Sequence, residues 1–389
     1  MRWRFLALAL AISVASPLPS SLFLHAQPSD TFLQAAHWLD PVSGRLGGPV
    51  IVQVSNGKIA RVGAPGEFDQ LPGSAMTNLG AATLLPGLID AHVHLQLGGA
   101  LPQANAGAIL RAGFTTVVDL GATTDIVLRL RQRISSGAIV GPRILAAGRW
   151  VGKQGGICEF GGIGIPGGPD AYRARVREDV AAGADLTKVC VSTWLADAFA
   201  RPESYEISDE ALAAAVDEAH RAGRLVVAHA ISIGSVKAAL RAGVDGLAHA
   251  AYVDVPTARE LRNRGVFMVA TLASLAGVSA EPPAQALRRS VATAHAEGVP
   301  IVFGTDGGVL PHGENAKEFA ALVEAGLPAL EAIRAATVNA ARAFRLDREV
   351  GQIKVGYRAD IIAVNGDPLH DIQSLSNPIF VMHDGTVVQ

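Results

Sequence analysis

Between residues 84 and 306 one pattern returns along the chain. A segment of helical period ends in a glycine, and a short apolar run follows at once. Arg111-Ala-Gly113 leads into Thr115–Leu120, and Ala182-Gly183 into Leu186–Val191. Arg221-Ala-Gly223 leads into Leu225–His229, and Arg241-Ala-Gly243 into Gly246–His249. Arg264-Gly265 leads into Val266–Ala270, and Glu297-Gly298 into Pro300–Asp306. A glycine just past a helix is the expected left-handed cap. Repeated helix–glycine–strand units predict right-handed βαβ crossovers and a parallel sheet. Adding Arg143–Ala147 and a strand in Leu84–Leu95, opened by Pro86-Gly87 and ended by His92-Val-His94, gives eight strands over about 220 residues, close to the size of a (β/α)8 TIM barrel. An open doubly wound sheet is the alternative. It normally carries a glycine-rich phosphate fingerprint after its first strand, and none is present.

The flanks read differently. Val50–Val54 and Lys58–Val62 alternate around Ser55-Asn-Gly57, an Asn-Gly hairpin signal within a small antiparallel sheet. After Asp306, two helical segments run from Glu314 to Phe344, and strand-like runs then return at Ile361–Val364, Ile379–Met382 and Thr386–Val388. The expected organisation is a signal segment (1–26), a first β-sandwich part (27–83), a barrel (84–346) and a second sandwich part (347–389). The two ends would build one composite β-domain.

The signal segment rests on Arg2 and Arg4 before an apolar run, Phe5–Val14, too short to span a bilayer. Small residues near Ala26 offer a cleavage site. The mature chain is expected to be exported, periplasmic or secreted, with no membrane span once the signal is removed. Two cysteines, Cys158 and Cys190, could pair in an oxidising compartment. Separate thiols, one buried and one in a loop, are the favoured expectation.

Composition then removes some functions. A net charge of −2 with 5% aromatic residues argues against a nucleic-acid partner. With 49% hydrophobic residues, a large core is available.

Candidate chemistry gathers at strand ends, where barrels keep their catalytic groups. His92 and His94 close the first strand and, two apart, point the same way. They could share a metal ion or be two separately satisfied histidines. Lys188 lies on the fourth strand, His229 on the fifth, His249 on the sixth and Asp306 on the eighth. An ammonium inside a barrel is costly unless paired. Lys188 could deprotonate and take up carbon dioxide as a carbamate bridging two cations, or reach a carboxylate. The glycine-rich stretch 151–169 is a candidate lid or substrate loop.

Leu85-Pro-Gly-Leu-Ile-Asp-Ala-His-Val-His94, with Lys188, His229-Ala, His249-Ala and Gly304-Thr-Asp306, resembles the metal-dependent amidohydrolase superfamily, in its imidazolonepropionase-like and Xaa-Pro dipeptidase-like branch. The tail, Ala335–Ala340 and Gly351–Asp360, is similar too. The resemblance implies two divalent metal ions, zinc first. His92, His94 and Asp306 would bind one, His229 and His249 the other, and Lys188, N6-carboxylated by carbon dioxide, would bridge them. Asp306 would also handle the proton of a metal-bridging hydroxide that cleaves a C–N bond in a small amide or peptide, such as a dipeptide or N-acyl amino acid. Cyclic amides, lactones, carbamates and phosphotriesters suit the same centre. A non-catalytic metal- or ligand-binding protein on this fold is the reading from another class. The sequence departs from the branch where substrate is read. Gln154-Gly-Gly-Ile157 replaces Gly-Gly-His, and Ile231 stands where a tyrosine or histidine is common. Tyr252, His312, Cys158 and Glu159 are the candidate substrate contacts. A homo-oligomer remains open.

Overall fold

A computed structural model describes residues 30–68, 76–276 and 281–389. The signal segment and its cleavage site lie outside the described residues. No described helix is long and apolar enough to cross a membrane.

Seven strands precede the repeating units: β1 Thr31–Ala35, β2 His37–Asp40, β3 Arg45–Gly47, β4 Val50–Ser55, β5 Lys58–Gly63, β6 Met76–Asn78 and β7 Thr83–Pro86. Eight more follow: β8 Leu88–Val93, β9 Phe114–Asp119, β10 Arg143–Ala146, β11 Leu186–Cys190, β12 Leu225–Ala230, β13 Gly246–His249, β14 Phe267–Ala270 and β15 Ile301–Phe303. The last three are β16 Ile361–Val364, β17 Phe380–His383 and β18 Thr386–Val387.

The eight middle strands pair only in parallel, in two arcs: β10-β9-β8 and β11-β12-β13-β14-β15. Hydrogen bonds cross both seams. Asp185 N donates to Ala146 O at 2.9 Å, and Cys190 N to Val151 O at 2.8 Å. At the other seam His94 N donates to Gly307 O at 2.7 Å and Gly307 N to His92 O at 3.2 Å. Helices fill every strand-to-strand connection. The expected caps are real: Gly243 (φ 81°) and Gly265 (φ 69°) end their helices left-handed, a conformation that a side chain would strain.

Side chains alternate between two apolar layers, as a strand's period of two requires. Val117, Val189 and Ala228 face the helices, whereas Val118, Leu186 and Val227 face the interior. Each such fully buried aliphatic contributes roughly 1.5–3 kcal/mol relative to exposure.

The terminal strands form two sheets, β5-β4-β1-β6 and β18-β17-β16-β7-β2-β3. The second interleaves N-terminal and C-terminal strands, and a separate apolar cluster packs between the two sheets. The hairpin β4–β5 turns through Asn56 (φ 50°) and Gly57 (φ 74°), as the Asn-Gly signal requires. Pairing is mixed rather than antiparallel throughout, because β1–β6 and β2–β7 run parallel.

Three expectations need correcting. The parallel strands, expected to begin at residue 84, begin after Gly87: β7 joins the six-stranded sheet through β16 and β2, β8 opens after Pro86-Gly87 as expected and joins the parallel arc, and Gly87 is the crossover. A Cβ on Gly87 would collide with Thr115, so the chain can change sheets here only as glycine. The stretch 314–344 holds three helices, Lys317–Glu324, Ala329–Ala335 and Val338–Ala343, because the chain breaks at Thr337 (φ −132°, ψ −97°). Finally, Cys158 and Cys190 are joined in a disulfide, with Cα atoms 6.3 Å apart. The loop after β10 folds back over β11, a proximity across 32 residues that local pattern does not encode.

Candidate metal centre

Strand β8 delivers His92 at its end and His94 just past it, and Asp306 follows β15. The Nε2 atoms of His92 and His94 are 3.3 Å apart, and each lies 3.3 Å from Asp306 Oδ1. His94 Nδ1 lies 3.0 Å from Gly121 O. A carbonyl only accepts, so Nδ1 carries the proton and Nε2 turns a lone pair toward the carboxylate. Lone pairs converging on one point repel unless a cation sits between them. This is the arrangement expected of a metal cradle.

Lys188 arrives from β11 and is 2% exposed. Its Nζ is 3.4 Å from His92 Nε2, an imidazole nitrogen rather than a carboxylate. Burial lowers the amine to about 7, against a weaker opposing pull from Asp306. His229 and His249 come from the neighbouring strands β12 and β13, with ring centroids 4.6 Å apart. His249 lies 5.1 Å from the His92 ring. The Nε2 of His229 is buried without a hydrogen-bond partner, as is Nδ1 of His92. A buried polar atom left unpaired is costly, which makes His229 Nε2 a candidate ligand atom. Burial holds His92 and His229 neutral, well below the usual histidine value, and brings His249 down to about 4. Neutral imidazole is the ligating form. Asp306 lies well below the usual carboxylate range, against the effect of its burial.

The structure thus brings all six expected residues to one place. Two of them sit in strained backbone, His249 at φ 73° and Asp306 at φ 54°.

Several supporting residues were not anticipated. Asp90, fully buried, accepts from Thr305 Oγ1 at 2.6 Å, Asn315 Nδ2 at 2.7 Å and the amides of His92 and Thr305 at 3.0 and 3.1 Å. It therefore ties the first parallel strand to the last, one or two residues from a ligand on each. Asp119 accepts from Leu95 N at 2.7 Å and Gly121 N at 3.1 Å, shaping the turn that holds His94. Thr271, just past β14, lies 2.7 Å from His249 Nδ1 and orients that ring. Each is a buried polar residue at the end of an apolar run, the same signal that singled out the histidines.

The four candidate substrate contacts fare unevenly. Tyr252 packs on Phe199, ring centroids 5.2 Å apart, three residues after His249. His312 Nε2 lies 3.2 Å from Leu97 O and joins the loops after β8 and β15. Glu159 folds back onto its own loop, 3.2 Å from Gly155 N. The sulfur of Cys158 is taken up by the disulfide and is no free thiol contact.

The amidohydrolase family model matches residues 83–388, and the chain belongs to that family. It is a hydrolase of carbon–nitrogen bonds. It is 30% identical to an ochratoxinase of Aspergillus niger over 77% of this chain and 74% of that protein. A solved Xaa-Pro dipeptidase with bound methionine in its active site superposes with a TM-score of 0.82 at 28% identity, over 92% of this chain and 99% of that one. A molinate hydrolase, at 24% identity, shares the fold with a TM-score of 0.80 over 92% of this chain and 94% of the other. The fold is accordingly α/β and TIM-barrel-like.

Proposed function

We propose that the chain is an exported, binuclear metal-dependent amidohydrolase that cleaves the C–N bond of a small amide, such as a dipeptide or an N-acyl amino acid. Its parallel strands would form a complete (β/α)8 ring, with the terminal sheets as one composite β-domain. The observation that carries the reading is the convergence of His92 Nε2, His94 Nε2 and Asp306 Oδ1 beside Lys188, His229 and His249.

His92, His94 and Asp306 would hold one divalent ion, zinc being the first candidate. His229 and His249 would hold the second, with Lys188 as an N6-carbamate between them. When bound, the ions supply an acidified water and positive charge for the substrate carbonyl. Asp306 accepts the proton of the attacking water and returns it to the leaving nitrogen. Burial keeps His92, His229 and His249 neutral, and Thr271 and Gly121 hold His249 and His94 in register. The names of the ochratoxinase and the Xaa-Pro dipeptidase support an amide or peptide substrate. The Cys158–Cys190 disulfide and the sequence of residues 1–26 support export.

The test combines elemental analysis of the purified protein with an amide and dipeptide hydrolysis screen of wild type and Lys188→Ala. The expected result is two equivalents of metal in the wild type, and loss of metal and activity in the variant. A variant with wild-type metal content and turnover would overturn the reading.

A further inference from the structure

Four rings run outward from the candidate metal centre. The His94 imidazole lies 5.3 Å from the Trp150 indole, Trp150 lies 5.1 Å from Phe160, and Phe160 meets Trp194 edge-on at 6.3 Å. Exposure rises along the line: Trp150 is 3% exposed, Phe160 is partly buried, and Trp194 is 54% exposed. Trp194 follows β11 and Trp150 follows β10, so both stand at the same end of the strands as the ligands.

This wall is fixed. The Cys158–Cys190 disulfide ties its loop to the strand that carries Lys188. Glu206 accepts from Ile157 N at 3.0 Å. Arg175 donates to Trp150 O at 3.0 Å and to Ile163 O at 2.8 Å. Gly121 lacks the Cβ that would strike the Trp150 ring, so the indole settles against the turn whose carbonyl holds His94. On the loops after β8 and β15, Leu101 (77%) and Val309 (47%) are also exposed apolar side chains.

From this geometry we propose that the Trp150–Phe160–Trp194 wall is a substrate subsite, and that it selects amides bearing a flat aromatic or broad apolar group next to the scissile bond. The proposal rests on the hydrolase reading above and narrows it. Aromatic rings pair edge-to-face or offset with centroids 4.5–7 Å apart, and such contact adds to the burial of apolar area. A ring entering beside Trp194 would continue the existing series toward Phe160 and Trp150. A compact proline dipeptide leaves most of the wall uncovered.

The experiment compares N-benzoylglycine with N-acetylglycine. Calorimetry measures the binding of each to metal-free protein, and kcat/KM is measured on metal-loaded protein, for wild type, Trp194→Ala and Trp194→Phe. The expected result is a preference of roughly tenfold for the benzoyl compound in wild type, lost in Trp194→Ala and restored in Trp194→Phe. A preference unchanged by Trp194→Ala, or no preference in wild type, overturns the wall. Cleavage of both compounds at a ratio independent of Trp194 removes the wall and keeps the hydrolase. Selective binding through Trp194 with no turnover keeps the wall and removes the hydrolase.

Discussion

Among the described residues, two places bring histidine and carboxylate together closely enough to suggest a metal ion. One is His92, His94 and Asp306; the other is Asp360, His383 and Asp384. They differ in what their polar atoms already have. In the second, Asp360 Oδ1 receives His383 Nδ1 at 2.9 Å and the Asp384 amide at 2.8 Å, while Oδ2 receives Arg143 at 2.7 Å. Asp384 is shared by Arg143 at 2.8 Å and Arg358 at 3.1 Å. Donors meet acceptors, and two guanidinium groups supply the positive charge. The cluster is a lock joining β10 to the C-terminal strands. In the first, acceptor faces acceptor, and buried nitrogens of His92 and His229 have no partner. Proximity alone does not separate a site from a lock; satisfaction of the polar atoms does.

The sharpest way to break this contrast is at Asp306. Asp306→Asn should leave the fold intact and lower kcat by roughly 10²–10⁴-fold, as removal of a proton-transfer group does. Steady-state kinetics with circular dichroism check it, and retention of full activity would remove Asp306 from the chemistry.

Next in size is the lock. Asp360→Ala takes one of two carboxylate partners from Arg143 and the acceptor from His383 Nδ1, and should cost about 3–5 kcal/mol of stability, read by denaturant unfolding, with metal content per folded molecule unchanged. Loss of metal in this variant would erase the distinction drawn here. The pH dependence follows from the same pairing. Burial would raise Asp360, but His383 and Arg143 outweigh it and hold it well below the usual carboxylate range. A depressed carboxylate contributes stability above its unfolded value, near ~4, and that stability is lost as pH falls from there toward the folded value. Asp360→Asn should therefore flatten the acid limb of the stability profile between roughly pH 4 and 2.

Cys158→Ser opens the 32-residue span closed by the disulfide and should cost about 2–4 kcal/mol. Thermal unfolding of wild type with and without reductant gives the matching measurement. The smallest effect belongs to Thr271→Val. It removes the group that orients His249 and should weaken metal retention by about 10–100-fold in a chelator competition, with little change in thermal stability.

Much of this was legible in the sequence because it is local. Helix period, capping glycine and apolar run occur within a few residues of one another, and they placed the eight parallel strands to within a few residues. The six converging residues were legible for a related reason: each sits on or at the end of an apolar run, as Lys188 does within Leu186–Cys190 and His249 at the end of Gly246–His249. What failed was what distance decides. Leu84–Ile89 reads as one apolar stretch around Pro86-Gly87, and only the opposing strands reveal that Gly87 divides it between two sheets. The Cys158–Cys190 bond and the row from Trp150 to Trp194 depend on how one loop lies over the next strand. Asp90 and Thr271 carried the same buried-polar signal as the histidines, but their partners lie on other strands.

The bridge made by Asp90 bears on the order of assembly. It reaches 215 residues along the chain to Thr305, beside Asp306, so the first cradle draws on both ends of the eight-strand series. A chain emerging during synthesis has His92 and His94 long before it has their carboxylate. The cradle therefore cannot exist on a partial chain, and any loading with an ion would wait until the final strand has docked. A fragment ending before Thr305 should capture no ion at this place, however well its earlier strands have formed.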